Sequence, residues 1–378
     1  MKIAFLCGSV EIGRDGVGDY TRRLAGELIR QGHEITLVAL NDQHISSTFV
    51  GIQNDAQEQI SVVRIPAVLS WKERVRQVKK CLNDFNPDWV SLQFVPFSFH
   101  HKGLLTGLYK YFEELGRGRK WHIMFHELWV GMEEKPPLKF RLLGWLQRRQ
   151  IKKLLVKLKP GAVHTHTGIY SHHLKQLGFN IMKLPLFTNI AVSSQSCRGN
   201  KPNNVVEISF VVFGHIHPNA PVENFAKELW DYSEETSLKV VLKFVGRSGS
   251  EQVRWKSAFT SYGLKVEVFG EQPSSEISRI LSDCTFGITT TPIALVEKSS
   301  AVATMWAHHL RVLSVSNPWN SKLVKSRITC DGISEFIPGR PISQELEEMK
   351  YAAVNDVSDV AAKLINTLSL HPAILTVG

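Results

Sequence analysis

The sequence of 378 residues lacks most of the patterns that assign a function quickly. Its five cysteines (Cys7, Cys81, Cys197, Cys284, Cys330) are odd in number, scattered and never in a C-x-x-C pair. Neither a disulfide framework nor a structural zinc site is built on such spacing, so reduced thiols are expected, several of them in the core. No stretch reaches the roughly 18 uninterrupted apolar residues of a spanning helix, and no signal-peptide pattern precedes the strand that starts at Ile3. A cytoplasmic protein is therefore expected. No Gly-Lys-Ser/Thr P-loop and no H-E-x-x-H pattern occur. Fifteen histidines are present, and His164 with His166, or His215 with His217, would share a strand face. His100-His101, His172-His173 and His308-His309 are adjacent pairs, which seldom point at one ion, so no catalytic metal is expected.

What is present begins with the first forty residues. Ile3 to Cys7 is an apolar run of strand length, and a glycine-spaced loop follows at Gly13, Gly16 and Gly18. Leu24, Ala25, Leu28 and Ile29 then recur at helical spacing up to the stop at Gly32, and Ile35 to Leu40 reads as a second buried strand. Such a unit lets amides approach a phosphate beside a helix N-terminus, so Gly16, Val17 and Gly18 are candidate ligand contacts. A glycine loop made only for a tight turn is the plain alternative. The glycines miss the G-x-G-x-x-G spacing, and only Asp42 lies near the end of the second strand, which makes a nicotinamide enzyme a minor reading.

The same rhythm of strand and helix repeats along the chain, at Trp89–Phe94, at His122–Phe125 before His126-Glu127, and at 161–165. It predicts an α/β protein with doubly wound parallel sheets. Residues 41–59 read as an irregular polar stretch. The Ser, Gly, Asn and Pro content after Ile190 predicts a linker over 191–204 between an N-terminal Rossmann-like domain, 1–190, and a second one, 205–355, with a final helical segment, 356–378, packing back on the first. Open sheets of this kind bind ligands beyond the carboxyl ends of their strands, so the expected site is a cleft between the two domains. The net charge of +10 implies an anionic partner. One basic run, 139–159, carries Leu142, Trp145 and Leu146 among its cations. It predicts an amphipathic helix, packed on the core or lying on anionic lipid. No nucleic-acid reader motif accompanies the charge.

Three pieces together resemble the GT-B glycosyltransferases and, within them, the retaining family 4. They are Gly16-Val17-Gly18 with Gly32-His33-Glu34-Ile35, Val268-Phe269-Gly270-Glu271 followed by the Cys284–Ile288 strand, and Glu297-Lys298-Ser299-Ser300 through Met305-Trp306-Ala307-His308. The resemblance covers nearly the whole chain. It implies two Rossmann-like domains facing across a cleft and transfer of a sugar from a nucleotide-diphosphate donor, with retained configuration. No D-x-D pair occurs, which disfavours the metal-chelating transferase fold.

By resemblance, Glu297 bonds donor-sugar hydroxyls, and the amides of Ser299, Ser300 and Ala301 receive the diphosphate. Thr304 stands where the family's ribose-gripping glutamate would be. Gly214-His215 and Ala220 replace the usual diphosphate-binding arginine and lysine, so Arg247 or Lys298 would supply the charge. His126 matches the family's histidine near the reacting carbon, and Glu127 is a general base if the reaction inverts. Without a metal or other cofactor, cations and amides would neutralise the leaving diphosphate. The acceptor is unassigned. The alternatives are a GT-B-shaped binding protein without activity and a nucleotide-sugar epimerase.

Overall fold

The structure, a computed structural model, describes residues 1–55, 58–192, 207–322 and 330–370. The expected linker from residue 193 onward and Cys197 lie outside them. The chain forms two compact units: the described residues of Met1–Pro185, Ser321–Lys325 and Asp356–Gly378 make the first, those of Leu186–Asn320 and Ser326–Asn355 the second.

The first domain runs β1 (Lys2–Cys7), α1 (Gly16–Arg30), β2 (Glu34–Asp42), β3 (Phe49–Asp55), β4 (Glu58–Pro66), α2 (Trp71–Phe85), β5 (Trp89–Phe94), α3 (Pro96–Phe99), α4 (Leu108–Leu115), β6 (Lys120–Phe125), α5 (Leu138–Leu158), β7 (Ala162–Thr165), α6 (Gly168–Lys175) and β8 (Met182–Lys183). Its eight strands lie in the order β3-β4-β2-β1-β5-β6-β7-β8. All neighbours pair in parallel except β3 with β4, which are antiparallel. β3 corrects the irregular reading of 41–59: its side chains alternate around half-exposure, and an edge strand that buries little leaves no apolar run to read. The chain reverses direction across the sheet between β1 and β5. Local chemistry sets the helix ends: Asp15, Ser70 and Thr167 each cap a helix start through the side chain, and α2 stops at Asn86 in the left-handed conformation, φ 48°.

The second domain runs β9 (Glu207–Phe213), α7 (Val222–Thr236), β10 (Lys239–Val245), α8 (Glu251–Ser261), β11 (Lys265–Gly270), α9 (Ser274–Asp283), β12 (Phe286–Thr289), a 3-10 turn (Ile293–Lys298), α10 (Ser300–Ala307), β13 (Arg311–Ser314), β14 (Ile333–Glu335) and α11 (Ile342–Glu348). Its sheet has the order β11-β10-β9-β12-β13-β14, parallel throughout. Alternation along β9 sends Phe210 and Val212 to one core, with Phe225, Trp255 and Phe259, and Val211 to another, with Ile280, Val302 and Met305. Each fully buried side chain of this size contributes about 1.5–3 kcal/mol. With both faces covered, side chains meet solvent mainly at the strand ends. The strand order reverses between β9 and β12, which makes the ends of those two strands the topological switch point. The last helix, α12 (Val357–Leu370), returns to the first domain and packs on α1.

Candidate functional site

Three neighbouring strands of the second domain end on glycines in the left-handed region: Gly214 after β9 (φ +82°), Gly246 after β10 (φ +84°) and Gly270 closing β11 (φ +67°). They are stitched together, since Gly214 N–H donates to Val245 O (2.9 Å) and Gly246 N–H to Gly270 O (2.7 Å). A row of residues without side chains exposes backbone for close approach by a ligand. Beyond Gly214, Ile216 N–H reaches Ser248 O (3.2 Å) and His217 N–H reaches the Thr290 hydroxyl (2.7 Å), so the loops after β9 and β12 join across the switch point. The rings of His215 and His217 meet edge to face at 5.4 Å.

On the other side of the switch point, the 3-10 turn carries half-buried Glu297 and Lys298 and delivers the start of α10. Ser299 caps that helix, its hydroxyl accepting Val302 N–H (3.4 Å) and its carbonyl Ala303 N–H (3.0 Å). The amides of Ser300 and Ala301 open the helix, and a Cβ on Gly214 would stand 3.8 Å from Ala301 Cβ. A positive helix end thus sits against the glycine turn. Burial, then His215, then the Lys298 ammonium hold His217 below the usual histidine range, which places the lysine charge at this loop. Arg247 follows Gly246 on the same edge, exposed, 3.5 Å from Glu271. The structure therefore brings Gly214, His215, Lys298, Ser299, Ser300 and Ala301 together, with Arg247 one strand away.

Thr304 is a correction. One turn along α10 it faces inward, 1% exposed, and its hydroxyl lies 3.0 Å from that of Thr188, so it belongs to the domain interior. Ala220, at the lysine position of the resemblance, is likewise buried.

The glycine loop of the first domain also departs from expectation. Asp15 caps α1, its carboxylate accepting Gly18 N–H at 2.7 Å and Val17 N–H beside it. Gly13 N–H donates to Asp19 (3.0 Å). A carboxylate already stands where a phosphate on Val17 and Gly18 would bind, with a second acid in the same turn. Burial pushes the Asp15 pKa up, against the pull of the two amides. Gly18 is glycine for packing: a Cβ there would come within 2.8 Å of Ser9 O. Gly16 has open space around it and needs no such explanation. Asp42 is fully buried, accepting from Arg64 Nε (2.7 Å) and His44 N–H (3.0 Å), so it is not placed as a ribose ligand.

His126 ends β6 inside a polar ladder on one face of the first sheet. Its Nδ1 lies 3.0 Å from His166 Nε2 and its Nε2 2.9 Å from the Gln93 side-chain amide. His166 Nδ1 is 2.9 Å from Leu184 O. Gln93 is 2.8 Å from the Ser91 hydroxyl, Ser91 2.8 Å from His122 Nδ1, and His122 Nε2 3.0 Å from His164 Nδ1. Burial holds all four imidazoles well below the usual range, His164 and His166 at about 4, so they are neutral near pH 7.

Neutrality fixes the polarity of the chain. His166 Nδ1 must donate to the carbonyl, so its Nε2 accepts from His126 Nδ1–H. Gln93 lies with its Oε1 against His126 Nε2 and its NH2 donating to Ser91, so a bare His126 Nε2 needs that amide turned over, an assignment that hydrogen bonding decides for any amide. With the amide turned, Ser91 would donate to Gln93 and accept from His122, which would accept from His164. With the Gln93 oxygen toward His126, one imidazole would have to carry a buried charge. Both nitrogens of His126 are thus committed within the domain, and a sugar would have to displace Gln93 to bond one. Glu127 is half-buried at the exit of the same strand.

The sequence reading missed Ser91, Gln93 and His166 as partners of His126. Their signal was polar residues at even spacing, Ser91/Gln93 and His164/His166 two apart and His122/His126 four apart, on strands whose pairing only the fold supplies. Thr290 and the glycine row of Gly246 and Gly270 were missed as well. Among the described residues no three His, Cys, Asp or Glu side chains converge as metal ligands.

Neither a family model nor a curated protein sequence matches the chain. Solved structures do. Anabaena Alr3699/HepE, in complex with UDP and glucose, superposes with TM-score 0.61 at 14% identity, over 98% of this chain and 100% of that one. The lipopolysaccharide outer core galactosyltransferase WaaB gives 0.57 at 13%, over 98% and 99%. The UDP-GlcNAc 2-epimerase of Neisseria meningitidis bound to UDP-GlcNAc gives 0.52 at 10%, over 98% and 100%. Identities this low carry the fold and not the reaction: the protein has the GT-B architecture of two Rossmann-like parallel-sheet domains.

Proposed function

We propose that the protein is a glycosyltransferase that moves a sugar from a nucleotide-diphosphate donor to an acceptor, and that the second domain holds the donor. The observation that carries this reading is the meeting of Lys298, the α10 amides and Gly214 at the β9/β12 switch point. A diphosphate laid on the glycine turn would accept from Ser300 and Ala301 N–H and pair with Lys298. Arg247, one strand away at the same edge, would supply a second cation. These groups take up the charge that develops as the sugar–phosphate bond breaks, the demanding part of the reaction. Glu297, on the same turn, bonds donor-sugar hydroxyls, and transfer proceeds with retention and without a resident metal. HepE with UDP and glucose and the galactosyltransferase WaaB share the fold and are consistent with this reading.

His126 enters the proposal as a positioning residue. Locked by Gln93 and His166, it fixes where Glu127 leaves the sheet. Contact of 139–159 with an anionic membrane belongs to the same proposal, supported by the cations of α5. Hydrolysis or transfer on a panel of UDP-, GDP- and ADP-sugars, lost in Glu297→Ala with folding intact, tests it. A folded protein that turns over none of them contradicts it. The buried Thr304 and the missing arginine–lysine pair favour a second reading, a binding protein that holds nucleotide without turnover. An epimerase on this fold would convert the sugar with no acceptor added.

A further inference from the structure

The loop leaving His126 and Glu127 runs into the wall of an open groove of about 670 Å³ on the first domain. Its floor and sides are apolar: Trp129, Met132, Leu138, Leu142 and Trp145. The wall is held firmly. Val130 N–H donates to Gln147 Oε1 (2.9 Å), Lys322 N–H to Met132 O (3.1 Å), and α5 passes so close that a Cβ on Gly144 would lie 2.0 Å from Val130 O. Three of the apolar side chains face solvent, Leu138 at 77%, Leu142 at 64% and Trp145 at 51%. Leaving that much hydrocarbon in water, clustered at one groove, marks a binding surface.

The polar lining has one sign. Arg141, Arg148 and Lys322 line the groove, and among the described residues no Asp or Glu does. Glu133 and Glu134, from the same loop, are not among the lining residues. α5 adds Lys139, Arg149, Lys152, Lys153 and Lys157 without a carboxylate. Two lining atoms are buried without a hydrogen-bond partner among the described residues, Arg148 Nε and His173 Nδ1. His173 is 2% exposed, its ring edge to face with Trp129 at 5.6 Å, while Nε2 lies 3.5 Å from the Ser321 hydroxyl. Leaving a buried polar atom unmade costs about 1–3 kcal/mol, which a ligand oxygen at either atom would recover.

Apolar walls, cations and orphan polar atoms fit one chemistry, an amphiphile with a phosphate head. We infer that this groove binds a phosphate-headed lipid, its hydrocarbon against Trp129, Leu142 and Trp145 and its phosphate at Arg141, Arg148 and Lys322. Basic residues beside exposed tryptophan and leucine suit the surface of an anionic bilayer, from which such a lipid is presented. That the lipid is the acceptor, or carries it, rests on the transferase reading above; the binding itself does not.

Dodecyl phosphate below its micelle concentration is the probe, titrated calorimetrically without nucleotide, with inorganic phosphate and dodecyl maltoside as controls. It should bind at least tenfold tighter than either control. Leu142→Glu, at an exposed position that the fold tolerates, and Arg148→Gln should each weaken it about tenfold, with Arg148→Lys recovering part of the loss. In flotation assays the wild type should rise with phosphatidylglycerol-containing vesicles and not with phosphatidylcholine alone. Equal affinity for dodecyl maltoside, indifference to both variants, or dimerisation abolished by Leu142→Glu in place of lipid binding would each overturn the inference. UDP titrated into Leu142→Glu reports separately on the donor site: loss of lipid binding with UDP binding kept confines the failure to the groove.

Discussion

The two domains each start a helix beside a glycine turn at a strand end, and they fill that position with opposite charge. At α1 the cap is Asp15, whose carboxylate takes the Val17 and Gly18 amides, with Asp19 on Gly13. At α10 the cap is the Ser299 hydroxyl, with Lys298 before it and the His217 loop alongside. The same local geometry therefore carries a carboxylate in one domain and a neighbouring ammonium in the other. The first domain buries four histidines in one neutral chain, whereas the second sets His215 and His217 in a loop at the strand ends and buries His308 singly against Ser278.

Acid should separate the domains most strongly. The folded-state pKa values of His164 and His166 lie at about 4 against about 6.5 unfolded, and those of His122 and His126 are also lowered. A depressed histidine pKa means that unfolding takes up protons, so the stability contributed is whole above pH 6.5 and is lost as pH falls toward 4. Hydrogen exchange at pH 7 and pH 5 should show β5, β6 and β7 losing more protection than β9, β10 and β12. Equal losses would break the contrast.

Lys298→Ala comes next. It should lower turnover of the best donor by roughly tenfold to a hundredfold, while the thermal midpoint stays within a few degrees. Chelation by EDTA should leave the wild-type rate unchanged, and recovery by added magnesium would contradict the metal-free scheme. His126→Ala removes a partner from both Gln93 and His166 and should cost about 1–3 kcal/mol in urea unfolding. Nucleotide affinity should be untouched by it; a large affinity loss with unchanged stability would move His126 from the interior to the ligand. Gly214→Ala puts a Cβ at φ +82° and should cost about 1 kcal/mol with a loss of donor affinity. Arg247→Ala should have the smallest effect, about twofold on affinity, read by the same titration.

Most of the fold was legible because both sheets are buried on both faces, which turns strands such as Lys239–Val245 and Phe286–Thr289 into plain apolar runs. β3 escaped because it buries little, and β8 and β14 because two or three residues give no period. The candidate site was half legible. Glu297 to Ala301 stood out as a turn into a helix. The glycine loop was legible only as a turn, because three glycines say nothing about whether the neighbouring Asp15 points at the amides or away. The burial of Thr304 was not legible, because position along a helix does not fix which face is buried until the helix has a neighbour. The histidine ladder needed strand order, and a partner some thirty or forty residues away leaves no local trace.

Calorimetric titration of UDP, GDP and ADP into the wild type and Lys298→Ala tests the central claim most directly, since it asks for the diphosphate site before any acceptor is known. At least one nucleotide should bind the wild type, tenfold or more weaker in Lys298→Ala. Absence of binding by all three, or equal binding by both proteins, would contradict the assignment of the diphosphate to the start of α10.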